Sequence, residues 1–368
     1  MAATKIRNIF RRFFLCLNLI VSFAFAIACL VPYLNPAYWW LMGLIGLSFP
    51  YLVLLLVFFI VFWGVTKPLW VFIPIITLII GYKQFSVFFA TNKLVAFTEK
   101  KDSTTIRILD WNIRSLEGLS NESDKKRKDR ATIPETIMTQ NADVVCLQEF
   151  NTSASQNNIA PFAAKYRYHY FSRDFKRAKQ GYESGSIIFS KYPIIDSGKI
   201  SFPGQQQGSL IFADIKTRRQ TIRVFTTHLQ SFRFKPGDYY NMEEIKNTGE
   251  KTLPASKSII QKMKLAYIKR GEQADIVRDA LDKSQYPSII CGDFNDVPNS
   301  YTYFHIRSNW QDVFLATSLG IGRSYMALAP TLRIDYILPD NHFNILQFDL
   351  VDENLSDHLM LVADVGLK

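Results

Sequence analysis

The chain opens with apolar runs that only a lipid-facing or deeply buried helix can use. Residues 13–34 and 39–62 contain no charged side chain. A third run covers 69–82 and extends through Phe89 if Lys83 lies at an interface. A helix needs about 20 apolar residues to cross a bilayer, a length the first two runs meet outright. Trp39, Trp40, Trp63 and Trp70 stand at the ends of the runs, where amphipathic rings favour the headgroup zone. A cleaved leader would carry a shorter apolar stretch and would not be followed by two more. The expected organisation is three transmembrane helices over residues 1–90, a polar linker over 91–103 and a separate domain over 104–368.

Charge suggests an orientation. Residues 1–100 hold eight basic side chains and one acidic one, +7 of the chain's net +11. Lys5, Arg7, Arg11 and Arg12 precede the first run, Lys67 lies between the second and third, and the turn at 34–38 is uncharged. Basic flanks stay in the cytoplasm. The expectation is an integral membrane protein with its N-terminus inside and, after three crossings, its large domain on the extracytoplasmic side. A third run lying along the surface would place the domain inside instead. The +4 left to the domain is no nucleic-acid footprint in itself. Cys16, Cys29, Cys146 and Cys291 lack the spacing of a zinc site and read as small buried hydrophobes.

Beyond residue 104 the pattern changes to short strands rich in Val, Ile and Phe. Strands are expected near 105–112, 143–149, 185–190, 209–216, 221–228, 287–293, 334–338, 345–351 and 359–365, with helices near 130–141 and 257–283. Many strands with few helices suggest two packed sheets flanked by helices. The stretch 231–253 reads as a long polar connection on the rim of a substrate site, where Tyr239 and Tyr240 could meet a base or a lipid headgroup.

Four clusters at strand ends carry the chemistry: Gln148-Glu149, Thr227-His228-Leu229, Gly292-Asp293-Phe294-Asn295 and Ser356-Asp357-His358. Asn112 ends a strand and can meet a phosphate oxygen or a metal-bound water; an ordinary turn is the plainer use of such a residue. Glu149 directly after a buried strand needs a partner, and a hard cation is one. His228 and Gln230, two apart on extended chain, share a face and could bracket a phosphoryl group. Asp293 can orient a water or take its proton, and Asn295 can donate to developing negative charge. Asp357 can face a metal and His358 a scissile phosphate, while Asp335 can fix the tautomer of His358. Arg333 could instead pair with Asp335.

These residues, in this order, resemble the endonuclease/exonuclease/phosphatase superfamily of apurinic endonucleases, pancreatic DNase, neutral sphingomyelinases and inositol polyphosphate 5-phosphatases. The matching strings are WN (111–112), QE (148–149), ESGSIIFSKYPI (183–194), THLQ (227–230), GDFND (292–296), RIDYIL (333–338) and SDH (356–358). The resemblance implies a four-layer α/β sandwich, two mixed sheets flanked by helices. It implies magnesium, or manganese in its place, held chiefly by Glu149 with Asn112 and Asp357. Asp293 and Asn295 would position water and phosphate, His228 would stabilise charge, and His358, oriented by Asp335, would be base or phosphate contact. Arg114 stands where repair nucleases often carry an acid, and His228 replaces the tyrosine of apurinic endonucleases. The function implied is a membrane-anchored, metal-dependent phosphoesterase cleaving a phosphodiester of a lipid headgroup or a nucleic acid. The alternatives are a phosphomonoesterase and a catalytically silent membrane receptor or scaffold on the same fold.

Overall fold

A computed structural model of the protein describes residues 2–119, 122–204, 208–248 and 253–368. Its N-terminal part is helical. Helices α1 (Ala2–Ala28) and α2 (Leu41–Thr66) pack side by side, joined across their apolar faces by Phe25 stacked on Phe49 and by the indole of Trp63, which donates to Asn18 Oδ1 at 3.0 Å. Both are long and apolar enough to cross a membrane. The third run behaves differently. Helix α3 (Phe72–Ile80) stops at Gly81, and α4 (Tyr82–Phe88) continues after a bend of 69°. The run is therefore a broken element and not one straight span.

In chain order the strands are β1 (Ala90–Thr91), β2 (Thr105–Asn112), β3 (Val144–Thr152), β4 (Tyr168–Phe171), β5 (Phe175–Arg177), β6 (Tyr182–Ser190) and β7 (Ile194–Ser201). There follow β8 (Ser209–Lys216), β9 (Thr221–His228), β10 (Ser288–Asp293), β11 (Leu319–Gly320), β12 (Asp335–Pro339), β13 (Phe343–Val351) and β14 (Met360–Leu367). One sheet has the order β13-β14-β2-β3-β6-β4, with β5 also on β6; the other has the order β12-β10-β9-β8-β7. Strand alternation sorts their side chains. Ile106, Ile108, Val144 and Cys146 of the first sheet face Val224, Ile289, Cys291 and Ile337 of the second in one apolar layer. The outer face of the first sheet, with Leu109 and Val145, takes Ile133 and Ile137 of α5 (Ser123–Thr139). The outer face of the second, with Phe225 and Ile290, takes Ala274 and Val277 of a long helix over Leu253–Asp282 and Tyr303 and Ile306 of a short one over Tyr301–Arg307. The result is the expected helix–sheet–sheet–helix sandwich.

Three local readings change. The polar connection at 231–253 contains a helix, α6 (Pro236–Thr248), ahead of the long helix, now α7 (Leu253–Asp282). Arg333 pairs with Asp312 at 2.6 Å and not with Asp335, and it also donates to the carbonyl of Val87 in α4. The stretch expected as a linker lies against the domain: β1 pairs with β11, and buried Arg107 holds the carbonyls of Thr98 and Glu99 while it grips Asp364.

The helical part also contacts the domain directly. The Tyr267 ring of α7 lies on Gly43 of α2, where an added Cβ would come within 2.2 Å. Asn35, between α1 and α2, donates to Asp275 of α7 at 2.8 Å, and Asn299 donates to the last carbonyl of α1, Ala28, at 3.0 Å.

Strands β9 and β10 approach most closely at Gly292, which has φ 142°; a Cβ there would meet the Thr227 carbonyl at 2.1 Å. Both the conformation and the contact exclude a side chain. Gly292→Ala is expected to cost about 2 kcal/mol or more, lowering Tm by several degrees. An unchanged thermal transition would contradict the pairing geometry.

Candidate active site

The inter-sheet layer is apolar along most of its length and polar at one end. On β2 the inward row runs Ile106, Ile108, Asp110, Asn112; on β3, Val144, Cys146, Gln148; on β9, Val224, Thr226, His228; on β10, Ile289, Cys291, Asp293. Register aligns those ends. Asp293 sits opposite Asp335 across the antiparallel β10–β12 pair and beside His228 across the parallel β9–β10 pair. Asn112 pairs with Gln148 between β2 and β3.

Glu149 reaches the cleft by a different route. Alternation would turn it away from the inner face, but the β3–β6 register shifts between Leu147 and Phe150, and Glu149 has φ 55°. A bulge with one left-handed residue re-aims its side chain. Asn295, after β10, has φ 53°. Non-glycine residues hold such conformations only where the surroundings enforce them, often at functional sites. Asn295 is held by its own contacts: its amide N–H donates to Asp293 Oδ1 at 2.8 Å and its side chain to the Leu229 carbonyl at 3.0 Å.

The polar groups converge. Asn112 Nδ2 donates to Asp293 Oδ2 at 3.0 Å and to Glu149 Oε1 at 3.4 Å. His228 Nε2 lies 3.6 Å from Asp293 Oδ2 and 4.0 Å from Glu149 Oε1. His358 Nδ1 is 3.0 Å from both oxygens of Asp335, which leaves Nε2 toward the cleft, 3.8 Å from Asp293 Oδ2. Asp335 in turn accepts from Ser324 Oγ at 2.6 Å, and the Tyr325 ring packs on the imidazole. The His358 main chain is fixed by Trp111 Nε1 and Ser356 Oγ.

The electrostatics follow from burial. Desolvation, reinforced by the charge of Asp335, raises the pKa of Asp293 against the pull of His358 and His228. Desolvation and then Asp335 push Asp110 well above the carboxylate range. Desolvation alone would lower His358, but the Asp335 and Asp293 carboxylates outweigh it and raise its pKa. Acidic groups are thus crowded around a cavity of about 370 Å³. Asp293, Asp335 and His358 have ligating atoms within 4.8 Å of one another. His358 and Asp335 bond to each other, and Asn112 turns its Nδ2 to the cleft while its Oδ1 accepts from the Arg114 amide at 3.1 Å, so the oxygens left for a hard cation are the carboxylate oxygens of Glu149 and Asp293. An all-oxygen donor set of this kind suits magnesium or manganese.

The expected site residues divide clearly. Asn112, Glu149, His228, Tyr239, Asp293, Asn295, Asp357 and His358 line this cavity, and Asp335 supports His358. Asp357 lies 3.9 Å from the Arg114 guanidinium, an ion pair at the cavity edge. Gln230 lies outside this cavity: β9 ends at His228, and the Gln230 side chain donates to the Ser231 carbonyl and lines an adjoining pocket that His228 and Glu149 also border. Tyr240 lies outside the cavity lining, on exposed surface of α6. Asp110 and Ser324 were not anticipated. Asp110 was detectable as the one acid on the inward row of β2; Ser324 carries no sequence signal.

A family model described as Endonuclease/Exonuclease/phosphatase family matches residues 111–358, and one described as Domain of unknown function (DUF8431) matches residues 11–88. No curated protein matches the chain by sequence. Among solved structures, an endonuclease/exonuclease/phosphatase from Beutenbergia cavernae is 20% identical with a TM-score of 0.50, over 72% of this chain and 72% of that one. The human Nocturnin catalytic domain with bound sulfate is 19% identical with a TM-score of 0.49, over 73% and 97%. A mannosyl-6-phosphatase from Bacteroides thetaiotaomicron is 15% identical with a TM-score of 0.48, over 71% and 100%. At such identity a likeness concerns the fold, whereas the family model spans every cluster of the cavity. The chain belongs to the endonuclease/exonuclease/phosphatase family, whose members hydrolyse phosphate esters.

Proposed function

We propose that the protein is a membrane-anchored, divalent-metal-dependent phosphodiesterase acting on a lipid headgroup. The observation that carries the catalytic reading is the meeting of Asn112, His228 and His358 on one oxygen, Asp293 Oδ2. Glu149 would hold magnesium or manganese, with Asp357 at the edge of the same cavity and Asn112 orienting the Glu149 and Asp293 carboxylates through its amide hydrogens. A bound cation of this type polarises a phosphoryl oxygen and neutralises its charge. Asp293 Oδ1 accepts from the Asn295 amide and Oδ2 from Asn112 Nδ2; Oδ2, the oxygen that faces both imidazoles, would take the proton of an attacking water. His358 has only Nε2 to offer, because Asp335 holds Nδ1; with His228 it would contact the phosphoryl oxygens. Asn295 keeps one amide hydrogen for the same purpose. The water oxygen bonds to phosphorus as the bond to the leaving oxygen breaks, and that oxygen departs with a proton from solvent or from His358. The intact set of acids and imidazoles disfavours a silent receptor.

Placement of the cavity supports a lipid over a nucleic acid. Leu47 of α2 lines it, together with Phe232, Phe234 and Leu328. Helix α2 is about 39 Å long at ~1.5 Å per residue, against a hydrocarbon layer of ~30 Å. Leu47 lies about 9 Å from its first residue by the same rise, close to headgroup depth. The domain also packs at the α1–α2 connection, whereas Arg11 binds the Thr66 carbonyl at the opposite ends of these helices. Basic flanks remain in the cytoplasm, so this arrangement supports an extracytoplasmic catalytic domain, with the bent third element returning the chain from Lys67 to the far end of α1, where Gln84 of α4 donates to the Cys29 carbonyl at 2.8 Å.

Full-length protein in detergent is expected to hydrolyse bis-(4-nitrophenyl) phosphate with magnesium or manganese and to lose turnover in EDTA. Glu149→Gln and His358→Ala should each lower kcat by about 100-fold or more; Tm should change little in Glu149→Gln and fall in His358→Ala, which leaves the buried Asp335 carboxylate without its imidazole. Metal-independent turnover, or full activity in either variant, would contradict the assignment. For orientation, alkaline phosphatase fused after Lys368 is expected to be active in cells. An inactive fusion beside a fluorescent cytoplasmic reporter at the same position would overturn the topology.

A further inference from the structure

Arg270 of α7 lines the catalytic cavity and is fully buried. Its guanidinium lies against the rings of Phe232 and Tyr267, 4.6 and 4.4 Å from their centroids. None of its three nitrogens makes a hydrogen bond of ordinary geometry, nor does the buried Tyr267 hydroxyl, although the guanidinium lies near enough to that hydroxyl to pull its pKa down against burial. A guanidinium has five N–H donors and cannot shed its charge by deprotonation.

A structural counterion is the plain alternative, and Asp296 accounts for the charge but not for the donors. Its carboxylate lies 3.9 Å from Nη1, an ion pair as long as that of Arg114 with Asp357 and beyond hydrogen-bond reach. Its oxygens already accept from the Thr302 hydroxyl at 2.7 Å and the Val297 amide at 3.1 Å. The other deeply buried arginines are engaged in the usual way: Arg107 grips Asp364 at 2.7 and 2.8 Å, and Arg333 meets Asp312 at 2.6 Å. Arg270 differs from them in facing a cavity, the one that also holds Asp293, Asn295 and His358. Asp296 follows Asn295 directly, so this guanidinium stands beside the turn that carries the proposed base. The flanking rings fix the guanidinium plane, and a fixed planar fork suits two oxygens of one phosphate.

We propose that Arg270, with the Tyr267 hydroxyl, forms a subsite for a second phosphate group carried by the phosphodiester substrate. The proposal deepens the phosphodiesterase reading and rests on it for the position of the reacting phosphate. A cavity of about 370 Å³ has room for both groups. The second phosphate could belong to a lipid headgroup or to a nucleotide, and matched ligands separate these sources.

The test is equilibrium binding by calorimetry, on the full chain in detergent with EDTA present so that no ester is cleaved. One pair of ligands is glycerophosphoinositol 4-phosphate and glycerophosphoinositol; the other is the dinucleotide dTpdT with and without a 5′-phosphate. The member bearing the second phosphate is expected to bind about tenfold tighter in one pair, and that pair identifies the source. Arg270→Gln should bring the ratio to about one, and Arg270→Lys should retain part of it. Tyr267→Phe, which keeps the ring on Gly43, should reduce it, so the question is decided even if the arginine variants misfold. Equal affinities within both pairs for the unaltered protein, or an undiminished ratio in Arg270→Gln, would overturn the subsite. Failure of the catalytic reading would show separately, as absent turnover with the binding preference intact.

Discussion

The structure depends on one constraint: two sheets share an inner layer whose side chains turn from apolar to polar at a single end. Strand alternation leaves no choice about which residues face inward once the sheets pack. Ile106 and Ile108 commit Asp110 and Asn112 to the same face, and Ile289 and Cys291 do the same for Asp293. The apolar part supplies the burial that holds the sheets together. The polar part places carboxylates and imidazoles in a low-dielectric cleft where each must find a partner. Fold and site are thus consequences of the same register, and a slip of one residue on β10 would lose both.

The cost of gathering acids at one point shapes everything around them. Asp335 is offset by the His358 imidazole and the Ser324 hydroxyl, and Asp293 by Asn112, His228 and the Asn295 amide. Glu149 has the Asn112 amide and a distant imidazole, yet the chain holds it in a left-handed conformation to bring it there. That combination is what supports the proposed role of Glu149 as a cation ligand. Elsewhere in the same cavity wall, Arg270 has Asp296 at 3.9 Å to balance its charge and no hydrogen-bond acceptor of ordinary geometry for its donors.

Much of this was legible in the sequence, for a physical reason. Period-two alternation and clusters at strand ends are local signals, and they located the sheets and brought Asn112, His228, Asp293, Asp335 and His358 together as expected. What remained hidden was set by tertiary context. Gln230 was expected on the His228 face, but the strand ends before it. Glu149 was named for its position after a buried strand, while the bulge that turns it inward depends on the β6 register. The break at Gly81 and helix α6 lie in segments whose composition fits several conformations. Arg270 falls within the helix expected near 257–283, where nothing local marks it as buried. It became a cavity residue only because α2 and the chain at Phe232 cover its side of the helix, a contact between segments over two hundred residues apart.

The helical part is more than a tether in this account. Gly43, Asn35 and Ala28 give α7 and Asn299 fixed places to dock, and Leu47 extends the apolar helix surface into the cavity wall. The helical part and the cavity are thus joined by direct contacts. The central claim remains that chain-distant side chains build one cation-holding cleft at the polar end of the inter-sheet layer. The most direct measurement is an anomalous-scattering crystal structure of the full chain with bound manganese. The account predicts a manganese peak against the Glu149 carboxylate, within the cavity bounded by Asn112, His228 and Asp293. Manganese bound elsewhere, with that cavity free of metal, would contradict it.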